Sequence, residues 1–131
     1  MSTIFTKIIK GEIPSYKLAE DEDHYAFLDI NPLAEGHALV VPKAETDYLF
    51  DLDAESLAAL FVFSQRVAKA IEATVSCERI GVAVIGLEVP HAHIHLVPIN
   101  GVHDIDFSKP RVELTPEEFK ALASRIAAAF E

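Results

Sequence analysis

Six histidines occur in the 131 residues, at positions 24, 37, 91, 93, 95 and 103. Three of them alternate with apolar residues in the run His91-Ala92-His93-Ile94-His95-Leu96-Val97. On a β-strand, side chains at i, i+2 and i+4 point to one face. The spacing therefore predicts three imidazoles on one surface, starting about 7 Å apart along the strand. Ala92, Ile94 and Leu96 would face the core. Packing alone has little use for three titratable rings side by side, because protonating them together costs repulsion. Two chemistries suit such a face. Strand histidines at i and i+2 can both reach a zinc ion. Alternatively, a neutral imidazole nitrogen can attack phosphorus, while a neighbouring ring donates hydrogen bonds or a proton. A metal site would use His91, His93 and His95, with His37 as a possible fourth ligand. Cys77 stands alone, with no Cys-x-x-Cys pair to support such a site. His24 and His103, being isolated, are read as packed or solvent-facing residues.

The elements that must position this run are legible around it. Tyr16–Glu20 is a possible edge strand. His24–Ile30 alternates, with Tyr25, Phe27 and Asp29 on one face and Ala26, Leu28 and Ile30 on the other. Asn31-Pro32 and Glu35-Gly36 place a turn before a strand over His37–Val41, which Pro42 ends. Asp53 is a suitable N-cap for a long helix to about Thr74, with Glu55 in its first turn. Leu57, Leu60, Phe61, Val67, Ala68 and Ile71 follow helical spacing, and Val62 and Phe63 widen the apolar face. Arg79–Ile85 and His91–Ile99 read as further strands, separated by a turn around Gly86. Thr115-Pro116-Glu117-Glu118 is a capping box with proline at the first helical position. Phe119, Leu122, Ala123, Ile126 and Phe130 then form one stripe. Strands that precede or separate two helices without regular alternation indicate an α+β fold, with an antiparallel sheet and helices packed on it. A single domain over 1–131 is expected, with a core over 1–110 and a C-terminal helix over 115–131.

Composition narrows the functions. The net charge is −10, from 21 acidic against 11 basic residues. Such a chain repels a phosphate polymer, which argues against nucleic-acid binding, whereas one small nucleotide needs only a few local donors. No apolar run approaches the roughly 20 residues of a membrane span, and the first ten residues do not read as a signal peptide. The single cysteine fits a reducing compartment, so a cytoplasmic protein is expected.

The run from His91 to Val97 resembles the motif of the histidine triad (HIT) family, His-φ-His-φ-His-φ-φ with φ hydrophobic. Ile4-Phe5-Thr6-Lys7-Ile8-Ile9-Lys10-Gly11-Glu12-Ile13-Pro14 is similar to the start of its nucleoside phosphoramidase (Hint-like) branch. So are Phe27-Leu28-Asp29-Ile30-Asn31-Pro32 and Gly36-His37-Ala38-Leu39-Val40-Val41-Pro42-Lys43. The resemblance covers residues 3 to 99. It implies a HIT-like antiparallel sheet of about five strands, one long central helix and a homodimer paired through that helix and the neighbouring strand. It implies that His93 attacks the α-phosphorus of a nucleotide and that a nucleoside monophosphate is released. It places His91 as the support of the nucleophile, His95 against the phosphate or leaving group, and His37 in the polar lining. Asp29 would hold the ribose hydroxyls. Phe5, Ile8, Phe27 and Ile30 would sandwich the base, usually a purine. No cofactor and no required metal are implied.

One departure falls in the loop before the triad. Relatives usually carry an Asn, then a Gly-containing loop ending Gly-Gln-x-Val-x-His. Here the stretch Gly81–His91 has Gly86, Val89 and Pro90 in register, Leu87 in place of Gln, no Asn, and several residues fewer. Backbone N–H groups near Gly86–Val89 remain available for phosphate oxygens, while Glu88 would repel an anion if it faced the pocket. A phosphoramidase, a nucleotide-binding or regulatory module with little turnover, and a histidine-ligated metalloprotein therefore stand as alternatives at this point.

Overall fold

The structure, a computed structural model, describes residues 2–131. Helix α1 (Ile4–Ile9) leads into strands β1 (Lys17–Glu20), β2 (His24–Leu28) and β3 (Ala38–Pro42). Helix α2 (Ala54–Thr74), strands β4 (Arg79–Ala83) and β5 (Ile94–Ile99), and helix α3 (Pro116–Ala129) follow. The five strands form one sheet in the order β1-β2-β3-β5-β4, with every pairing antiparallel. The α+β reading, with a long central helix and a C-terminal helix, is the architecture found.

Period-two alternation sorts the sheet into two faces. Ala26 and Leu28 of β2, Ala38 and Val40 of β3, and Ile94 and Leu96 of β5 pack with Leu60, Phe63, Val67 and Ile71 of α2 and Phe119, Leu122 and Ile126 of α3. The opposite residues Tyr25, Phe27, Leu39 and Val41 pack with Phe5 and Ile8 of α1 in a second cluster. The sheet is thus covered on both sides, with α1 on the face that carries His95.

The caps are those the sequence specifies. The Asp53 side chain accepts from the Ser56 N–H at the start of α2. Thr115 and Glu118 form the reciprocal box at α3, at 3.1 and 2.8 Å. The wide apolar face of α2 divides. Leu60 and Phe63 are buried in the chain's own core, while Phe61 and Val62 remain exposed. Helix α1, which periodicity did not mark, is capped by Thr3, whose side chain accepts from the Thr6 N–H. No helix among the described residues is long and apolar enough to cross a membrane.

The predicted strand through all three triad histidines is shorter than expected. β5 begins at Ile94, and the preceding chain bends as the His91 N–H donates to the Val89 carbonyl at 2.8 Å. Ala92 is held by its N–H to the Thr46 carbonyl at 2.6 Å. This bend turns His91 away from its two companions.

Candidate active site

Three of four histidine rings have their neutral proton placed by a partner that can only donate or only accept, and the fourth, His95, is set through one of them. The Nδ1–H of His93 donates to the carbonyl of His91 at 2.8 Å. This leaves Nε2 of His93 with a free lone pair. The backbone N–H of Leu33 donates to Nδ1 of His37 at 3.0 Å, so the His37 proton sits on Nε2 and is donated to Nδ1 of His95 at 3.0 Å. The His95 proton is therefore on its own Nε2. Nε2–H of His91 donates to the Pro42 carbonyl at 2.7 Å, and the Thr3 hydroxyl donates to Nδ1 of His91 at 2.7 Å.

Among the described residues, no buried side-chain nitrogen or oxygen lacks a partner. Nε2 of His93 and Nε2 of His95 have no protein partner, so both reach open space. Their rings sit 5.0 Å apart, centroid to centroid. One offers a lone pair and the other a hydrogen, a combination suited to nucleophilic attack beside a hydrogen-bond donor.

They open on a cavity of about 380 Å³, lined by Asp29, Asn31, Ile85–Val89, His93, His95, Phe107 and Arg111. That volume is in the range of small-molecule sites. Burial holds both His37 and His95 neutral. His37 is pushed down to about 3, first by burial and then by His95 and Arg111. His95 is pushed down to about 4 by burial, His93 and Arg111. His91 is likewise lowered, mainly by burial, although the Pro42 carbonyl and Glu45 oppose it. Burial raises the Asp29 carboxyl against the Asn31 N–H bond and the charges of Arg111 and His93.

Local sequence explains how these groups meet. Gly36 takes φ +97°, and an added Cβ would stand 3.0 Å from Val75 Cγ2, so the turn delivering His37 needs glycine. Asp29 follows β2 on the face of Tyr25 and Phe27. One of its oxygens accepts from the Asn31 N–H at 2.8 Å, and the other lies 3.6 Å from His37 Nε2. Leu39 of β3 pairs with His95 of β5, which brings His37 beside the histidine strand.

Not every expected residue lines this cavity. Asp29, Gly86, Glu88, Val89, His93 and His95 do. His91 is fully buried, packs edge-on against Phe5 at 5.7 Å, and reaches the site through its carbonyl. Phe5, Ile8 and Phe27 lie in the buried cluster below, and Phe5 meets the His93 ring at 5.0 Å. Ile30 is 74% exposed and lines a neighbouring groove. His24 is buried, bonded to Asp21 and stacked on Phe63, and His103 is exposed.

The sequence reading missed Phe107 and Arg111. They lie in the irregular segment after β5, which carries no periodicity. Phe107 packs against His95 at 4.8 Å, and Arg111 donates to the Asn31 and Phe107 carbonyls at 2.6 and 3.4 Å.

The metal reading changes its residues. Ligand atoms converge within 4.8 Å on Asp29, His37 and His95, rather than on His91, His93 and His95. His91 is excluded by its two hydrogen bonds. The proton shared between His37 and His95 stands where an ion would have to enter.

Known proteins share this chain's sequence and fold. The HIT domain model matches residues 10–102. Adenosine 5'-monophosphoramidase hnt1 of Schizosaccharomyces pombe is 38% identical over 129 residues, 97% of each chain. Adenosine 5'-monophosphoramidase HNT1 of Saccharomyces cerevisiae is 46% identical over 96 residues, 72% of this chain and 61% of that protein. The crystal structure of a Hit-like protein involved in cell-cycle regulation from Bartonella henselae aligns with TM-score 0.84 and 33% identity, over 98% of this chain and 96% of that one. With a family domain matched across most of its length and relatives aligned end to end, the chain belongs to the histidine triad (HIT) family.

Proposed function

We propose that this protein is a nucleotide hydrolase that cleaves nucleoside phosphoramidates, or related nucleotide conjugates, at the α-phosphorus through a covalent intermediate on His93. The observation that carries this reading is the placement of protons. The free lone pair of His93 Nε2 stands beside the Nε2–H of His95 at the floor of a cavity that also holds Asp29. The relatives named as adenosine 5'-monophosphoramidases support the same reaction class.

In the first step His93 Nε2 bonds to phosphorus, and the P–N bond breaks as the leaving nitrogen takes up a proton and departs as the amine. The nucleotidyl-imidazolium keeps its Nδ1–H on the His91 carbonyl, which spreads the new positive charge. In the second step water attacks phosphorus and loses a proton, the P–Nε2 bond breaks, and the nucleoside monophosphate leaves. One proton is taken up and one released, so the sum is addition of water across the P–N bond. Two displacements replace one difficult one. The His95 Nε2–H donates to a phosphoryl oxygen or the leaving atom, while His37 keeps the opposite nitrogen of that ring occupied.

Asp29 would accept the ribose hydroxyls. Ile30, exposed in the adjoining groove, would give a purine base an apolar contact, while Phe5, Ile8 and Phe27 lie buried beneath the site and support it from behind. Gly86, which takes φ +72°, with Glu88 and Val89 would form the edge of the phosphate site. The reading includes a cytoplasmic homodimer. Exposed Phe61 and Val62 on α2 and Val82 and Val84 at β4, an edge of the sheet, favour pairing.

The test is incubation with adenosine phosphoramidate, following AMP release and a nucleotidyl adduct on His93 by mass spectrometry without acid quench. An absence of release across several bases and leaving groups would overturn it. The shortened loop, with Leu87 88% exposed where relatives carry Gln, favours the second reading of a nucleotide-binding protein with little turnover. Calorimetric binding of AMP without hydrolysis would select that one.

A further inference from the structure

Resting on the nucleotide reading above, we propose that Arg111 is the anion-binding residue of the site. It would supply the positive charge for the phosphoryl group that the shortened loop does not. The cavity is electrostatically poor for its ligand. The chain carries a net charge of −10, and two acids, Asp29 and Glu88, line the cavity. Its two lining histidines include His95, held neutral by burial and by its neighbours. The loop Ile85–Val89 offers two apolar tips, Ile85 and Leu87, and no amide or hydroxyl side chain. Among the described residues lining the cavity, Arg111 is the one lysine or arginine. A nucleotide phosphate brought onto His93 and His95 needs a cation, and guanidinium is the group best matched to phosphate oxygens.

The position of Arg111 is built. Its guanidinium is half-buried, donates to two carbonyls, and lies 5.5 Å from the Phe107 ring, which itself packs on His95. Both partners are neutral acceptors, and no carboxylate among the described residues forms an ion pair with it. Two N–H groups are used of the five that arginine carries. Its charge reaches Asp29, His37 and His95, whose proton affinities it lowers. The Val112 N–H donates to the Pro32 carbonyl at 2.9 Å, pinning the segment against the turn that follows Asp29. Arg111 therefore stands between the ribose anchor and the His95 end of the site. The segment after β5 completes a pocket whose other lining residues include no lysine or arginine.

The test compares wild type with Arg111→Gln and Arg111→Lys by calorimetry, using AMP, adenosine and inorganic phosphate as probes. Arg111→Gln is expected to weaken AMP and phosphate about 10- to 100-fold while leaving adenosine within twofold. Arg111→Lys should recover part of the loss. The salt dependence of AMP binding should flatten in Arg111→Gln. Equal weakening of AMP and adenosine would mark Arg111 as structural and overturn the proposal, as would AMP affinity unchanged within threefold. Wild type that turns over adenosine phosphoramidate with an unaffected Arg111→Gln sinks the anion site and leaves the enzymatic reading intact. Arg111-dependent AMP binding without any turnover does the reverse. Wild type that binds no AMP overturns both.

Discussion

The floor and the rim of the cavity follow opposite rules. On the floor, His37, His91, His93 and His95 are at most 8% exposed, and each ring is oriented by a backbone carbonyl or N–H or, for His95, by the His37 ring. On the rim, Ile85, Leu87 and Glu88 are exposed, and the segment carrying Phe107 and Arg111 has no regular structure. The difference separates chemistry from recognition. A nucleophile must be held in one protonation state and one orientation, which requires buried, satisfied partners. A binding rim can be rebuilt by changing loop length, because its backbone groups are hydrated either way. The same floor could therefore serve several leaving groups through different rims.

The sharpest way to break this comparison is to remove the floor's centre. His93→Ala should lower AMP release by a factor on the order of 10⁴ or more, as for other nucleophile deletions. Circular dichroism should stay native, because the one hydrogen bond of the His93 ring is local, to the His91 carbonyl, and Phe5 of α1, which it touches, keeps its packing on Phe27 and His91. Single-turnover assays with adenosine phosphoramidate check this. Residual release above one per cent would place the nucleophile elsewhere.

The next effect is expected two layers below the pocket. Thr3 donates to His91, and Glu45 accepts from the Thr3 N–H at 2.9 Å and the Thr6 hydroxyl at 2.5 Å. These bonds tie α1 to the triad. Thr3→Val keeps the shape but removes both the α1 cap and the donor to a buried imidazole nitrogen, which together cost about 2 to 3 kcal/mol of stability. Held then by the Pro42 carbonyl alone, the His91 ring would pivot and loosen the carbonyl that holds the His93 proton, and kcat should fall about tenfold. Denaturant midpoints and kcat measured on one preparation check both. A loss of stability without loss of kcat would uncouple α1 from the chemistry.

Titration sharpens the same contrast. His37 and His95 have folded pKa values near 3 and 4, depressed chiefly by burial, against about 6.5 in the unfolded chain. The unfolded state therefore binds more protons between about pH 6.5 and 4. The stabilisation is complete above pH 6.5 and is lost as pH falls toward 4 and then 3. Each such group can steepen the dependence by about 1 kcal/mol per pH unit. His37→Gln keeps an acceptor for the Leu33 N–H and a donor for His95, so the variant should fold and show a shallower slope between pH 6 and 4.5. Equal slopes in urea titrations of the two proteins would mean that burial does not hold His37 neutral.

Much of the floor was legible in the sequence because its signals are local. Alternation at 24–30 and 91–97 put Asp29, His93 and His95 on strands or at their ends, and the capping residues Asp53 and Thr115 located both long helices. Alternation failed at His91. Pro90 and the Val89–His91 turn begin the strand later, and a period-two rule applies only where the backbone is extended. Helix α1 was missed because six residues give barely two turns of pattern, although Phe5 and Ile8 at i and i+3 and Thr3 as a cap were the available signals. Phe107 and Arg111 left no trace, since a residue in an irregular segment acquires its neighbours from tertiary contacts alone.

The smallest effect is expected where the family pattern is most altered. Leu87→Gln restores the side chain that relatives carry, yet this position is 88% exposed, and a Cβ added to the adjacent Gly86 would meet nothing within 4 Å. A hydrogen bond made at such a wet position replaces one to water and contributes little. Folding stability should move by less than about 0.5 kcal/mol, as for exposed substitutions generally. KM for adenosine phosphoramidate should fall by at most about threefold, with kcat unchanged, because the loop is too short to hold the amide over the phosphate. Steady-state kinetics on the purified variant decide this. A tenfold gain in kcat/KM would mean that the rim is already ordered around the phosphate and lacks a single donor. In that case rim and floor would be one preorganised unit, and the loop's length would matter less than the amide missing at position 87.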